Sequence, residues 1–390
     1  MNLTLQTLDS INCVNSAEWD RLDHGQSPFL EHGFLRALEE SASVGEQAGW
    51  IPKYLSVFAT DKNSPNPTLV GAIAAFIKFH SYGEYIFDWS WANASERAGI
   101  PYYPKILIAA PFTPATGKRL LLDPKLDPQH RSQIIKLLIN AVFELSHQIH
   151  ASSIHWLFVD QQDYNTIAEF GFFPRSSFQF HWHNQNYNSF SDYLNAMTSR
   201  RRKQIRKERR CAQQSIEDIT FGPGQNVSVH EIDLLTQFYR STTKKHGAHA
   251  YLRPQFFPFL FRYLGHRIQF ARATTEGQTI AGALFFEGES TLYGRYWGAQ
   301  QELPFLHFEL SYYAAIERCI ERGIQHFEAG AQGEHKLLRG FIPTQTHSVH
   351  WIRHPKLRDA VISAVQVEAL RIEQQMQALS EYDPFRHSDH

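Results

Sequence analysis

Thr291-Leu292-Tyr293-Gly294-Arg295-Tyr296-Trp297-Gly298 reads as a β-strand, and Tyr82-Gly83-Glu84-Tyr85 repeats part of it 211 residues earlier. The offset holds for five residues: Gly71, Ala72, Tyr82, Gly83 and Tyr85 match Gly282, Ala283, Tyr293, Gly294 and Tyr296. Outward from these pairs the same order of elements comes twice. In the first half, residues 28–41 have helical spacing. Strands follow at Lys53–Ala59, Thr68–Ile77 and Gly83–Trp91, then a helix at Arg131–His147 and a buried strand at Ser153–Asp160. The second half gives a helix at Leu252–Leu264 and strands at Ile268–Thr274, Gln278–Phe286 and Ser290–Trp297. A helix at Glu309–Arg322 and a strand at Gln325–Glu328 complete it. A repeat this long is not a solenoid and predicts two homologous domains.

The expected division is a first domain at 1–190 with a Pro-rich insertion at 93–129, then a basic connecting helix at 191–215. A second domain at 216–380 bears the site and includes a strand at His347–Ile352 and a long helix at Lys356–Leu379. A loose tail at 381–390 ends the chain. At 390 residues the chain exceeds one hydrophobic core, and 43% apolar residues suffice for packed interiors. With 38 basic and 39 acidic residues there is no global field for polyanions, so such a partner needs a local patch. Three scattered cysteines form neither a disulfide framework nor a metal set. The first ten residues lack a basic, apolar leader, and no run approaches the ~18 apolar residues that span a bilayer. The expectation is a soluble, cytoplasmic protein.

Chemistry concentrates in Phe327-Glu328-Ala329-Gly330-Ala331-Gln332-Gly333-Glu334-His335-Lys336-Leu337-Leu338-Arg339-Gly340-Phe341, a turn following a strand. Its three glycines permit positive φ and close approach of a ligand, and strand carboxyl ends commonly hold ligands in α/β proteins. An amine substrate needs a base, for which Glu328, Glu334 and His335 are candidates. A tetrahedral oxyanion needs a cation or N–H donors, for which Lys336, Arg339 and the turn amides are candidates. Arg295, Tyr296 and Trp297 lie on the strand before it, and His307 and Glu309 open the following helix, where Glu309 complements the dipole. Gln332 lies within the turn. Histidines are scattered without carboxylate or Cys at ligand spacing, so no metal is expected. No nucleophile elbow or Gly-rich nucleotide loop is present. Between the repeats, eight of the eleven residues from Arg200 to Arg210 are basic. They read either as a solvated helix or as a grip on phosphate through Arg202, Lys203, Arg206 and Arg209.

The stretches Ser81–Trp89, Tyr102–Lys105, Pro111–Pro114, Tyr293–Gly298, Leu306–Glu309 and Glu328–Lys336 together resemble the bacterial FemAB-like family of the GNAT acyltransferase superfamily. The resemblance implies an α+β (mixed α/β) fold of two tandem GNAT-like domains, each a mixed central sheet flanked by helices. It implies acyl or aminoacyl transfer to an amine, such as a peptidoglycan precursor, from acyl-CoA or aminoacyl-tRNA, with no tightly bound cofactor. Lys336 looks like the family's lysine facing the reacting carbonyl, which gives it the oxyanion role. Glu328 or Glu334 is then the base, and Arg339 with Tyr296 orients substrate. The loop Ala299–Phe305 departs from the glycine-bearing acyl-CoA loop of GNAT enzymes. The alternative expectation is a non-catalytic protein that grips an anionic cell-wall precursor or a nucleic acid, tRNA included, through the basic helix.

Overall fold

The computed structural model describes the chain apart from Met1, Lys62, Asn63, His246, Ala248, Ala331, Gln332, Asp383 and Arg386–His390. The strands are β1 (Asn2–Leu8), β2 (Trp50–Asp61), β3 (Ser64–Lys78), β4 (Lys105–Ile108), β5 (Leu121–Leu122), β6 (Ser153–Val159) and β7 (Phe173–His183). They continue as β8 (Asp218–Pro223), β9 (Ile268–Thr275), β10 (Gln278–Glu287), β11 (Thr291–Ala299), β12 (His326–Glu328) and β13 (Ile342–Ile352). The chain forms two compact units: Met1–Ser177 with Gln345–Ile372, and Phe178–Thr344 with Glu373–His390. This differs from the contiguous division expected at 190 and 216. The reason is strand exchange, since the chain changes unit inside β7 and again inside β13.

In the first unit the order is β1-β2-β3-β4-β6-β13, with β5 on β3. Neighbours are antiparallel except β4 and β6, which run parallel. In the second the order is β8-β9-β10-β11-β12-β7, again antiparallel except for the parallel pair β11 and β12. The two orders match step for step, so the duplicated mixed sheet expected from the sequence is present. Each unit has its own core. Ile73, Ile106, Leu138, Trp156 and Val349 pack in the first, and Trp182, Phe285, Leu310, Tyr313 and Phe327 in the second.

The register of the repeat holds less well than its order. The strand expected at Gly83–Trp91 is an irregular turn followed by a helix at Trp89–Arg97. The residue pairing of Tyr82, Gly83 and Tyr85 with strand positions in β11 therefore has no structural counterpart. The true partner of β3 on that side is β4, hidden inside the Pro-rich segment, with Lys78 opposite Lys105. Both lysines are fully buried, and side chains of the turn fold inward to meet them. The Lys105 ammonium donates to Ser81 Oγ at 2.8 Å, Glu84 Oε2 at 2.8 Å and Asp88 Oδ2 at 2.6 Å, using all three of its protons. Lys78 donates to the Tyr82 carbonyl at 2.7 Å and lies 3.7 Å from the centre of the Trp50 ring. Polar requirements of buried charge thus override the local β pattern of the turn.

A helix at Val229–Lys245, which the sequence reading leaves unassigned, packs on β11. Gly298 allows this, because a Cβ there would lie 2.4 Å from Phe238 Cβ and 2.7 Å from its carbonyl. The tail is anchored as far as Phe385, which bridges Met197, while Thr198 N donates to the Pro384 carbonyl at 3.0 Å. Among the described residues no helix is long and apolar enough to cross a membrane.

Candidate active site

The site grows from a strand that stops early. β12 has three residues, and its ladder to β11 ends at the pair Tyr293 and Glu328. β11 runs on for six residues to Ala299, and β10 is bulged between Leu284 and Phe285 on its other side. Bulges re-aim side chains beside active sites. Here a cavity of about 120 Å³ opens against the free stretch of β11, lined by Arg295, Tyr296, Trp297, His307, Ser311, Tyr312 and Ala329, among others. A second cavity of about 480 Å³ shares Trp297 and His307 with it and extends along Thr242, Lys245 and Gln300–Leu303. The Trp297 and His307 rings, 5.0 Å apart between centroids, stand where the two meet.

Two local distortions shape the far wall. Phe305 has a φ of 63°, uncommon for an aromatic residue, and starts the helix abruptly. The helix expected at Glu309–Arg322 begins at Leu306 and is π-helical over Glu309–Tyr313, a form concentrated at functional sites. The extra residue per turn brings Ser311 and Tyr312 to the cavity. The Ser311 hydroxyl is buried without a hydrogen-bond partner among the described residues.

The turn after β12 closes the site with a 3-10 helix at Glu334–Arg339. Lys336 is 1% exposed, and its ammonium donates to the Gly330 carbonyl at 2.7 Å. Burial, then the Arg295 charge, push its pKa down to about 7. His335 is hydrogen-bonded to the Tyr312 hydroxyl at 3.1 Å. Burial, with Arg339 and Lys336 nearby, lowers its pKa to about 4, so it is neutral at pH 7. Glu328 is buried at the end of β12, opposite His181 of β7. Arg295, Tyr296, Trp297 and His307 therefore line the cavity, His335 meets it through Tyr312, and Lys336 lies in the turn near Arg295, while Glu328 sits at the end of β12 opposite Tyr293.

Other expected residues lie elsewhere. Glu334 is exposed to solvent, and Gln332 falls outside the described residues. Arg339, 3% exposed, donates to Glu208 Oε2 at 2.9 Å and to the His335 carbonyl at 2.7 Å, with its guanidinium 3.6 Å from the Phe308 ring centre. That engagement turns it toward the protein instead of a substrate. Glu309 is buried and takes Arg209 at 2.9 Å, so these two hold each other. Burial raises the Glu309 pKa against the lowering by Arg209. Arg209 also pairs with Glu317 at 2.7 Å. Arg202 reaches Ser199 Oγ at 3.3 Å, while Lys203 and Arg206 are exposed. Tyr312 and Ser311 were not singled out by sequence, because a π-turn cannot be read from helical periodicity. Glu208 left a signal, being the one acid in the run Arg200–Arg210.

Comparison with known proteins agrees with this architecture. A family profile described as FemAB-like, peptidoglycan biosynthesis/recognition, matches residues 10–387. The crystal structure of FemX superposes with a TM-score of 0.54 at 10% identity, covering 92% of this chain and 100% of FemX. The C-terminal domain of a putative lysylphosphatidylglycerol synthetase from Agrobacterium fabrum gives 0.50 at 9% identity, covering 87% and 92%. At such identities the likeness is one of fold. No curated protein matches the sequence.

Proposed function

Because the chain belongs to the FemAB-like family, we propose that its second unit transfers an acyl or aminoacyl group from an ester or thioester donor to an amine. The observation that supports this reading is the buried Lys336 ammonium near Arg295, which itself lines the cavity on β11. In the transfer, the amine nitrogen bonds to the donor carbonyl carbon, and the carbonyl electron pair moves onto oxygen. Collapse of that oxyanion breaks the bond to the donor's alcohol or thiol, which takes up a proton as the new amide nitrogen loses one.

A cation held against burial and a like charge gains most when an anion forms beside it. It therefore stabilises the transition state more than the resting site, which is the condition for raising kcat. Lys336 has this property, and in this reading Glu328 is the base that accepts the amine proton. Tyr296, Trp297 and His307 line the path for the transferred group. Family membership favours a peptidoglycan-precursor amine as acceptor. Exposed Arg200, Lys203, Arg206, Lys207 and Arg210 offer charge for the phosphates of a carrier such as aminoacyl-tRNA.

The test is transfer from aminoacyl-tRNA and from acyl-CoA to muropeptide amines, followed by mass spectrometry. Lys336→Ala should lower kcat by about 10²–10³-fold, the scale for one oxyanion donor. Because the protonated lysine acts, kcat/KM should fall as pH rises through about 7. Unchanged transfer in Lys336→Ala would refute the assignment. Salt-sensitive binding of the same ligands without product would instead favour the binding role of the basic helix.

A further inference from the structure

The helix Ser199–Gln214 turns a different face to each side. Its exposed residues carry the cations, and Ile205, Glu208 and Ala212 point inward, three and four residues apart on one stripe. Glu208 is therefore a carboxylate delivered to the interior by a helix that has no other acid. Its Oε1 accepts from Gln204 Nε2 at 2.9 Å, and its Oε2 accepts from the Tyr313 hydroxyl and from Arg339 Nη2 at 2.9 Å. Arg339 passes the hold on, donating through Nη1 to the His335 carbonyl at 2.7 Å, the peptide that leads into Lys336. The carbonyl of Arg339 itself accepts from the Tyr193 hydroxyl at 2.6 Å. The 3-10 turn is thus gripped at its second residue and at its last.

We propose that Glu208 is a positioning residue for Lys336: through Arg339 it fixes the His335–Lys336 peptide, so that the ammonium is kept on the Gly330 carbonyl and beside Arg295. A 3-10 turn of six residues has poor internal hydrogen-bond geometry and needs such outside support. A buried ion pair is a weak source of stability compared with apolar packing, which leaves fixing geometry as its better use. Arg339 thereby acts on substrate only through the turn it secures. The inference rests on Lys336 having the role given above, and its test is built to fail separately.

Lysine labelled with ¹³C at Cε reports the Lys336 titration directly, with its signal assigned from the Lys336→Arg spectrum. Full-length protein should show a Lys336 midpoint far below that of the exposed lysines, in the same range as buried Lys78. In Glu208→Gln, which keeps shape and loses charge, the midpoint should rise by at least one pH unit as the turn loosens toward water. The double variant Glu208→Met/Arg339→Met restores apolar packing without the pair, and it should fold while showing the same rise. Tyr313→Phe, which leaves the arginine contact, should not move it. In the transfer assay Glu208→Gln should lower kcat by about 10–100-fold with KM little changed, as expected for misplacement by about an ångström. An unmoved midpoint in either folded Glu208 variant overturns the proposal whatever the activity. A moved midpoint with Lys336→Ala fully active would instead overturn the transfer mechanism and leave the clamp standing.

Discussion

Lys105 and Lys78 face each other across β3 and β4 with no exposed surface, yet their chemical states differ. Burial opposes the charge of Lys105, but Glu84 and Asp88 outweigh it and raise its pKa. Burial dominates at Lys78, whose pKa falls to about 7 despite Glu84. Lys105→Met takes the ammonium from buried Asp88 and leaves Glu84 only Lys78 at 3.5 Å, and it should cost about 3–5 kcal/mol in a urea titration. Lys78→Met should be tolerated far better and should change a pH dependence. The Lys78 pKa is lower folded than unfolded, so between about 7 and 10.5 the unfolded chain binds the extra proton. Stability therefore rises with pH across that window, and below about 7 the penalty is complete. Glu84, whose pKa is raised by burial, has the opposite slope, starting on the acid side above its ordinary value of 4.5. In Lys78→Met the rise above pH 7 should shrink, leaving the share of Lys336, whose pKa is also lowered to about 7; an unchanged slope would place its whole origin at other groups. None of this was legible in Ser81–Trp89 and Tyr102–Lys105, because nothing local says that two lysines 27 residues apart in sequence will be cross-strand neighbours. The polar turn that carries Lys336 was legible as a turn after a strand because its glycines, strand and charges are contiguous.

The basic helix Ser199–Gln214 shows how one element divides its charges. Arg206 is exposed, whereas Arg209 lies 4.3 Å from the centre of the Phe190 ring and pairs with buried Glu309 and with Glu317. Arg209→Met should therefore destabilise the second unit by about 3–5 kcal/mol by stranding Glu309. Arg206→Met should stay within about 0.5 kcal/mol, as surface changes usually do. Thermal midpoints of the two variants decide it, and equal shifts would mean that the ion pair has no energetic part. Sequence alone split this helix between a solvated connector and an anion grip. Both readings treated its charges as one population, since the inward stripe of Ile205, Glu208 and Ala212 is short and interrupted by an acid. The turn at residues 79–88 failed differently. Its Val-free but aromatic-rich pattern suits a half-buried strand, and only the inward demand of Lys105 pulls Ser81, Glu84 and Asp88 out of a strand's alternation.

At the scale of the molecule the duplication was legible as an order of elements, and the partition was not. Hydrophobic period identifies a strand but not the sheet it will join, and here β13 returns over a long sequence distance to complete the first unit on β6. Val349 of β13 is fully buried in that unit's core, and His350 is paired with His155 at 2.7 Å between their Nδ1 atoms. A fragment ending at Ser177 would thus lose one flank of β6 and part of its core. The first unit's two pieces also meet where the second unit is inserted: Gln345 Nε2 donates to Ser176 Oγ at 2.9 Å, and the Ser177 and Thr346 hydroxyls are 2.7 Å apart. A linker of about four Gly and Ser residues spans such a gap, since each residue reaches up to about 3.5 Å. Residues 1–177 joined by this linker to 345–372 should give a soluble domain with dispersed amide NMR signals and a cooperative thermal transition. Residues 1–177 alone should not, because the exposed flank of β6 offers unpaired backbone groups to other chains. If the shorter fragment folds equally well, β13 is dispensable to the first unit, and the exchange of strands would have to be explained by the second unit alone.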